Sequence, residues 1–247
     1  MKRLIAFDLD GTLAESKQPI GEPMAALLGQ LLAVANVAVI SGGDWPQFET
    51  QVVSRLPADA DLANLFILPT TGTKLYRFEG AWRRAYADDF SPEESTAIRT
   101  ALDRASREQG LYEDRSWGER IEDRGSQITF SGLGQQAPLD AKKAWDPDFA
   151  KRKRLQAALQ AQLPDLSINI GGSTSIDITR KGVDKAYGMR RLIESSGIAA
   201  DAILFLGDAV YPGGNDFPVA QFGIDTIAVR DVAETMHIVA AIIACLK

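Results

Sequence analysis

Short apolar runs closed by glycine or acidic turns alternate with amphipathic stretches along the first part of the chain. Leu4-Ile5-Ala6-Phe7 is such a run, and it predicts a buried strand over residues 1–9 that ends as Asp10-Gly11 begins a turn. Glu22 to Ala35, rich in Ala and Leu, predicts a helix. Val37-Ala38-Val39-Ile40 predicts a second strand, closed by Ser41-Gly42-Gly43-Asp44. Phe48, Val52 and Leu56 recur at helical spacing within residues 46–56, and Leu65 to Leu68 predicts a third strand before Thr70-Thr71-Gly72. This β-α-β-α order implies a parallel sheet with helices on both faces.

The rhythm changes near Asp88. Ser91-Pro92-Glu93-Glu94 carries a cap residue and a first-turn proline, and starts a helix that runs to about Gln109. Strands at 127–131, 166–170 and 175–179 surround a helix near 148–163 and show no parallel alternation. The alternation resumes after Lys181. A helix spans Asp184 to Ser196, the strand Ala202 to Leu206 is closed by Gly207-Asp208, and a short helix and strand lead to a final helix over 233–246. The expected architecture is therefore a doubly wound, mainly parallel α/β core of residues 1–86 and 181–247, with an α+β cap inserted at 87–180.

Composition narrows the chemistry. The 247 residues are 45% hydrophobic and 24% charged, as in ordinary globular proteins, and suffice for a core with an inserted domain. A net charge of −6 supplies no electrostatic footprint for nucleic acid. Lys151-Arg152-Lys153-Arg154 reads as a solvated helix face. No apolar run is long enough to cross a bilayer. The first core strand occupies the N-terminus and leaves no room for a signal peptide, so the expected location is cytoplasmic. One cysteine, Cys245, and one histidine, His237, exclude a disulfide framework, a zinc site and a Cys/His or Ser/His nucleophile pair. Carboxylates, lysine, hydroxyls and a metal ion remain.

Asp8 and Asp10 stand two residues apart where a strand leaves its sheet, so their side chains lean to one side. Beside Gly11-Thr12 they form a site for a hard cation and a phosphorus electrophile. Asp8-Leu9-Asp10-Gly11-Thr12-Leu13 resembles the first motif of the haloacid dehalogenase superfamily of phosphotransferases. The resemblance implies that Asp8 is the nucleophile and Asp10 the general acid/base. Ser41 resembles the hydroxyl residue of the second motif, which holds a phosphoryl oxygen. Gly42 and Gly43 after it let backbone amides approach the same group. Gly182-Val183-Asp184-Lys185 resembles the third motif of members with a type IIB (C2) cap, and it makes Lys185 a point charge on the nucleophile and the phosphate. The string Gly207-Asp208 through Asn215-Asp216 completes the set. It implies a Mg²⁺ site with Asp8, Asp208 and the Asp10 carbonyl as ligands, and with Asn215 and Asp216 completing or orienting the shell.

Pro212-Gly213-Gly214-Asn215-Asp216 and Ile170-Gly171-Gly172-Ser173-Thr174-Ser175-Ile176-Asp177 resemble the eukaryotic-type phosphomannomutase branch. That branch implies that Ser175 and Asp177 touch a sugar phosphate from the cap. Arg124 is the best match for a grip on its distal phosphate, and Arg120 a weaker one. The chain departs from the branch at Ser131-Gly132-Leu133-Gly134-Gln135, where Gln135 stands in place of a phosphate-binding arginine. Loss of a bidentate, permanently charged clamp weakens the hold on a second phosphate and favours hydrolysis. The expectation is a Mg²⁺-dependent hexose-phosphate phosphatase working through an aspartyl-phosphate, with a cap that closes over the site and sets specificity. The alternative is a phosphomannomutase interconverting mannose 6-phosphate and mannose 1-phosphate, and a third reading is a non-catalytic sugar-phosphate sensor. The implied partner is a small-molecule sugar phosphate, with a homodimer through the cap left open.

Overall fold

The computed structural model describes residues 1–112, 115–171 and 173–247. They form two compact units, Met1–Ala87 with Asp184–Lys247, and Asp88–Val183.

The first unit is built on a seven-stranded sheet. Its strands are β1 (Leu4–Asp8), β2 (Asn36–Ile40), β3 (Leu65–Leu68), β4 (Lys74–Phe78), β5 (Trp82–Ala87), β10 (Ile203–Gly207) and β11 (Asp225–Ala228). They lie in the order β11-β10-β1-β2-β3-β4-β5. Pairing is parallel from β11 to β3, as the alternation predicts, and antiparallel at β3–β4 and β4–β5. Alternate side chains divide the apolar strands between two faces. Ile5, Phe7, Val37 and Val39 pack with α1 (Glu22–Leu32) and α8 (Val232–Leu246). Leu4, Ala6, Ala38 and Ile40 pack with α6 (Lys185–Ser196) through Met189 and Leu192. Each central strand therefore reads as a continuous apolar run because both its faces are covered. α2 (Trp45–Gln51) and α7 (Phe217–Gln221) complete the unit.

The β4–β5 hairpin has no counterpart in the sequence reading. β5 sits at the sheet edge, and its Arg83 and Arg84 are exposed, so no apolar run marks it. The helix expected over 46–56 stops at Gln51, because Val52 adopts a non-helical conformation and a single 3₁₀ turn follows.

The second unit sets the antiparallel sheet β6-β7-β9-β8 against helices. Its strands are β6 (Ile121–Asp123), β7 (Gln127–Ser131), β8 (Leu166–Gly171) and β9 (Ser175–Arg180), and its helices are α3 (Pro92–Glu108), α4 (Leu139–Trp145) and α5 (Ala150–Gln162). Ile128, Phe130, Ile168, Ile176 and Ile178 face Ile98 and Leu102 of α3 and Leu155 and Leu159 of α5. The opposite face is polar, since Thr129 stands across from Asp177 and Ser131 from Ser175. Arg152 corrects the expectation of a solvated basic helix face. It is 1% exposed and donates to Asp146 at 2.8 Å, because α5 turns this position inward while Lys153 and Arg154 stay in solvent.

Candidate active site

β1 delivers Asp8 to the carboxyl end of the sheet, where open α/β folds bind ligands. The chain then turns through Gly11 at φ 90°, a conformation that favours glycine. A Cβ at this position would lie 2.5 Å from the Asp208 carboxylate, so the absent side chain also lets Asp208 approach the first loop.

Asp8 is 4% exposed. Burial pushes its carboxyl up to about 6, against the attraction of Lys185 and with added repulsion from Asp216. Lys185 is the first residue of α6, whose Asp184 cap accepts a hydrogen bond from the Tyr187 N–H at 2.7 Å. Its Nζ donates to Asp8 Oδ1 at 2.5 Å and also to Asp216. Burial alone would lower the ammonium's pKa, but the paired carboxylates outweigh it and raise the value. Asp216 is fully buried at the head of α7 and also accepts from the Ala209 N–H at 3.0 Å. Asp208 is exposed, and its carboxyl is raised by partial desolvation and by the charge of Asp216. Asp8, Asp208 and Asp216 each offer an oxygen within 4.8 Å of the others.

That donor set is all oxygen and all anionic, and Lys185 compensates only part of its charge. It fits a hard divalent cation such as Mg²⁺ better than a soft metal. Asp10 lies apart from the cluster by its side chain. Its Oδ1 accepts from the Lys17 N–H at 2.6 Å and its Oδ2 from Gln47 Nε2 at 3.4 Å. Its side chain is not among the three carboxylates that cluster, and its backbone carbonyl is the group the motif offers to a cation. Asn215 is exposed on the turn before Asp216.

Ser41 directly follows β2 and is 6% exposed. Its loop is pinned by the Thr70-Thr71-Gly72 turn after β3, whose backbone conformation the sequence does not show. Thr70 and Thr71 adopt φ 48° and 60°, and their N–H groups donate to the carbonyls of Gly43 at 2.8 Å and Ser41 at 2.9 Å. Threonine is strained in this region, and such strain gathers where surrounding structure holds a loop in place. Gly42 follows Ser41 at the exposed tip of the loop, and Asp44 beyond it pairs with the buried Lys74 at 2.8 Å. Gln47 carries no motif either. Its place in the first turn after a glycine loop is the only signal of a contact with Asp10.

In the second unit, Asp177 accepts a hydrogen bond from Thr129 Oγ1 at 2.7 Å. Burial raises its carboxyl, opposed by that bond and by the nearby charge of Arg124. Arg124 forms an ion pair with Glu122 at 2.7 Å, so its charge is shared with a neighbour. Arg120 is buried, donates to the Leu111 carbonyl at 3.2 Å and lies over the Tyr112 ring. Ser175 lies on β9 opposite Ser131, and Gly172 of the same string lies outside the described residues. Gln135 carries its Nε2 buried without a hydrogen-bond partner among the described residues, and its carbonyl accepts from Lys142 at 3.1 Å.

The family model of the eukaryotic phosphomannomutases matches residues 112–244, more than half of the chain. The chain belongs to this family. A phosphomannomutase of Encephalitozoon cuniculi is 27% identical over 224 residues, covering 88% of this chain and 84% of that protein. Human phosphomannomutase 1 is 25% identical over 230 residues, covering 87% and 82%. Among solved structures, an IMP-nucleotidase of Plasmodium falciparum superposes with a TM-score of 0.75 at 16% identity, covering 99% of this chain and 69% of that one. A haloacid dehalogenase-like hydrolase of Bacteroides thetaiotaomicron gives 0.67 at 15% identity, covering 98% and 100%. Those two likenesses concern the fold. This member of the phosphomannomutase family thus has the fold of a haloacid dehalogenase-like hydrolase. Among its described residues, no helix is long and apolar enough to cross a membrane.

Proposed function

We propose that this chain is a hexose-phosphate phosphotransferase of phosphomannomutase type, interconverting mannose 6-phosphate and mannose 1-phosphate. The observation that carries the reading is the family match over 112–244, which includes Ser175, Asp177, Lys185, Asp208 and Asp216. It moves the preferred chemistry from the hydrolysis suggested by Gln135 to transfer between the two ends of a sugar.

In this mechanism an Asp8 oxygen attacks phosphorus and the bond from phosphorus to the donor oxygen breaks, leaving an aspartyl-phosphate. Asp10 gives its proton to the departing oxygen, then takes one from the sugar hydroxyl that attacks the aspartyl-phosphate. Its contacts with the Lys17 N–H and Gln47 hold that carboxyl clear of the Asp8–Lys185–Asp216 cluster. Lys185 keeps Asp8 ionised and balances charge on the phosphoryl oxygens, with Ser41 and the Gly42 and Gly43 amides as further donors. Mg²⁺, held by Asp8, Asp208, Asp216 and the Asp10 carbonyl, would add charge neutralisation at the phosphoryl group when bound. In the second unit, the cap of this reading, Ser175, Asp177 and Arg124 recognise the sugar phosphate.

Hydrolysis remains the second reading, favoured by one observation: an uncharged Gln135, its Nε2 without a partner among the described residues, where the resemblance implies an arginine. The deciding experiment supplies mannose 1-phosphate, Mg²⁺ and a catalytic amount of hexose bisphosphate, and follows isomer and free phosphate together. Isomerisation that depends on bisphosphate supports the mutase. Rapid phosphate release with little isomer replaces it with the phosphatase. Tight binding with neither product leaves the sensor.

A further inference from the structure

Asp177 is held by a hydrogen-bonded chain that crosses the polar face of the second unit's sheet. Thr129 and Asp177 are directly paired across β7 and β9, which places their side chains on one face. Thr129 Oγ1 lies 2.7 Å from Asp177 Oδ1, and Gln127 Nε2 lies 3.1 Å from Thr129 Oγ1. The direction of both bonds follows from chemistry. An ionised carboxylate only accepts, so the threonine hydroxyl spends its single proton on Asp177 and accepts from the glutamine amide. Gln127 and Thr129 are each 2% exposed, so the chain is shielded from competing water. The other carboxylate oxygen, Oδ2, lies against Gly171 of β8, where an added Cβ would stand 2.5 Å away. Gln127 also hydrogen-bonds the Asp177 carboxylate directly, so Asp177 is fixed from both flanking strands, by Thr129 and Gln127 on β7 and by Gly171 on β8.

From this geometry we infer that Gln127 and Thr129 are positioning residues, a relay that orients the Asp177 carboxylate to accept a hydrogen bond from the sugar. The inference rests on the proposed role of Asp177 in binding the hexose phosphate. A carboxylate with one oxygen locked in place presents the other in a single direction, which serves selection among hydroxyl positions better than a freely rotating group. Both supporting residues sit on β7, whose opposite face packs into an apolar core through Ile128 and Phe130, so their positions are stiff.

The test measures kcat and KM for mannose 1-phosphate, with hexose bisphosphate and Mg²⁺, in the full chain and in Thr129→Val, Thr129→Ser, Gln127→Met and Asp177→Ala. Thr129→Val keeps the branched shape and removes the donor. It is expected to raise KM roughly tenfold, with kcat changed less than about threefold, as loss of a hydrogen bond to a charged group predicts. Thr129→Ser restores the hydroxyl and returns KM towards the unaltered value. Gln127→Met gives a smaller rise in the same direction and serves as the readout if Thr129→Val does not fold. If Asp177→Ala raises KM but Thr129→Val and Gln127→Met do not, or if Thr129→Ser is as impaired as Thr129→Val, the relay is overturned and the role of Asp177 stands. If Asp177→Ala leaves KM unchanged, or the unaltered chain does not bind mannose 1-phosphate, the reading of this site fails and takes the relay with it.

Discussion

At the level of single residues, the Lys185 ammonium is shared by Asp8 and Asp216, and all three side chains are almost wholly withdrawn from solvent. Such groups tolerate burial only together. Lys185→Met leaves two buried carboxylates without their cation, and urea denaturation at neutral pH should register a loss of about 3–5 kcal/mol. Asp8→Asn removes the nucleophile while keeping its shape. Turnover should fall on the order of 10⁴-fold or more, with the circular dichroism spectrum and melting behaviour of a folded chain. Full activity in Asp8→Asn would end the nucleophile assignment. These residues could be picked out in the sequence because each sits in a short string beside a strand end. Thr70, Thr71 and Gln47 could not, since their significance lies in backbone conformation and in a contact that crosses from one loop to another.

Among the elements, α3 is the clearest case of local control. The Ser91 side chain accepts from the Glu94 N–H at 3.2 Å, and Glu94 returns to the Ser91 N–H at 2.7 Å. Both donors would otherwise be orphaned at the helix start, so Ser91→Ala should cost about 1 kcal/mol in thermal or urea unfolding. Glu94 has a second partner from β9. Arg180 donates to it at 2.7 and 2.9 Å, and this bond, with the Ser91 N–H, holds its carboxyl down to about 2. A depressed native pKa stabilises the fold fully above the unfolded value of 4.5 and loses that contribution as pH falls towards 2. An NMR titration should therefore find Glu94 still ionised at pH 3, and Arg180→Met should bring its midpoint back towards 4.5. The sequence shows this cap because the pattern is local. The β4–β5 hairpin is the contrary case, as an edge strand with exposed arginines is stabilised by its neighbour and not by its own apolar content.

Across the whole molecule, the acidic cluster joins the first strand to the loop after β10, from opposite ends of the chain. A cation bound there links segments that separate on unfolding, so Mg²⁺ should raise the melting temperature. At a hundredfold excess over its dissociation constant, the gain is about 2.7 kcal/mol. Removal with a chelator should reverse the shift, and Asp208→Asn should abolish most of it; a shift unaltered by that change would remove Asp208 from the site. The parallel α/β fold could be read from the sequence, because buried strands must be apolar on both faces and helices must alternate with them. The four acidic and basic strings could also be read, since each is contiguous and stands at a predicted strand end or helix start. Their assembly could not. Which carboxylates share the lysine, which oxygen of Asp10 meets Gln47, and which threonine supports Asp177 depend on distances between residues remote in sequence. Parallel pairing and cross-strand register set those distances, and a one-dimensional pattern of apolar and polar positions does not contain them.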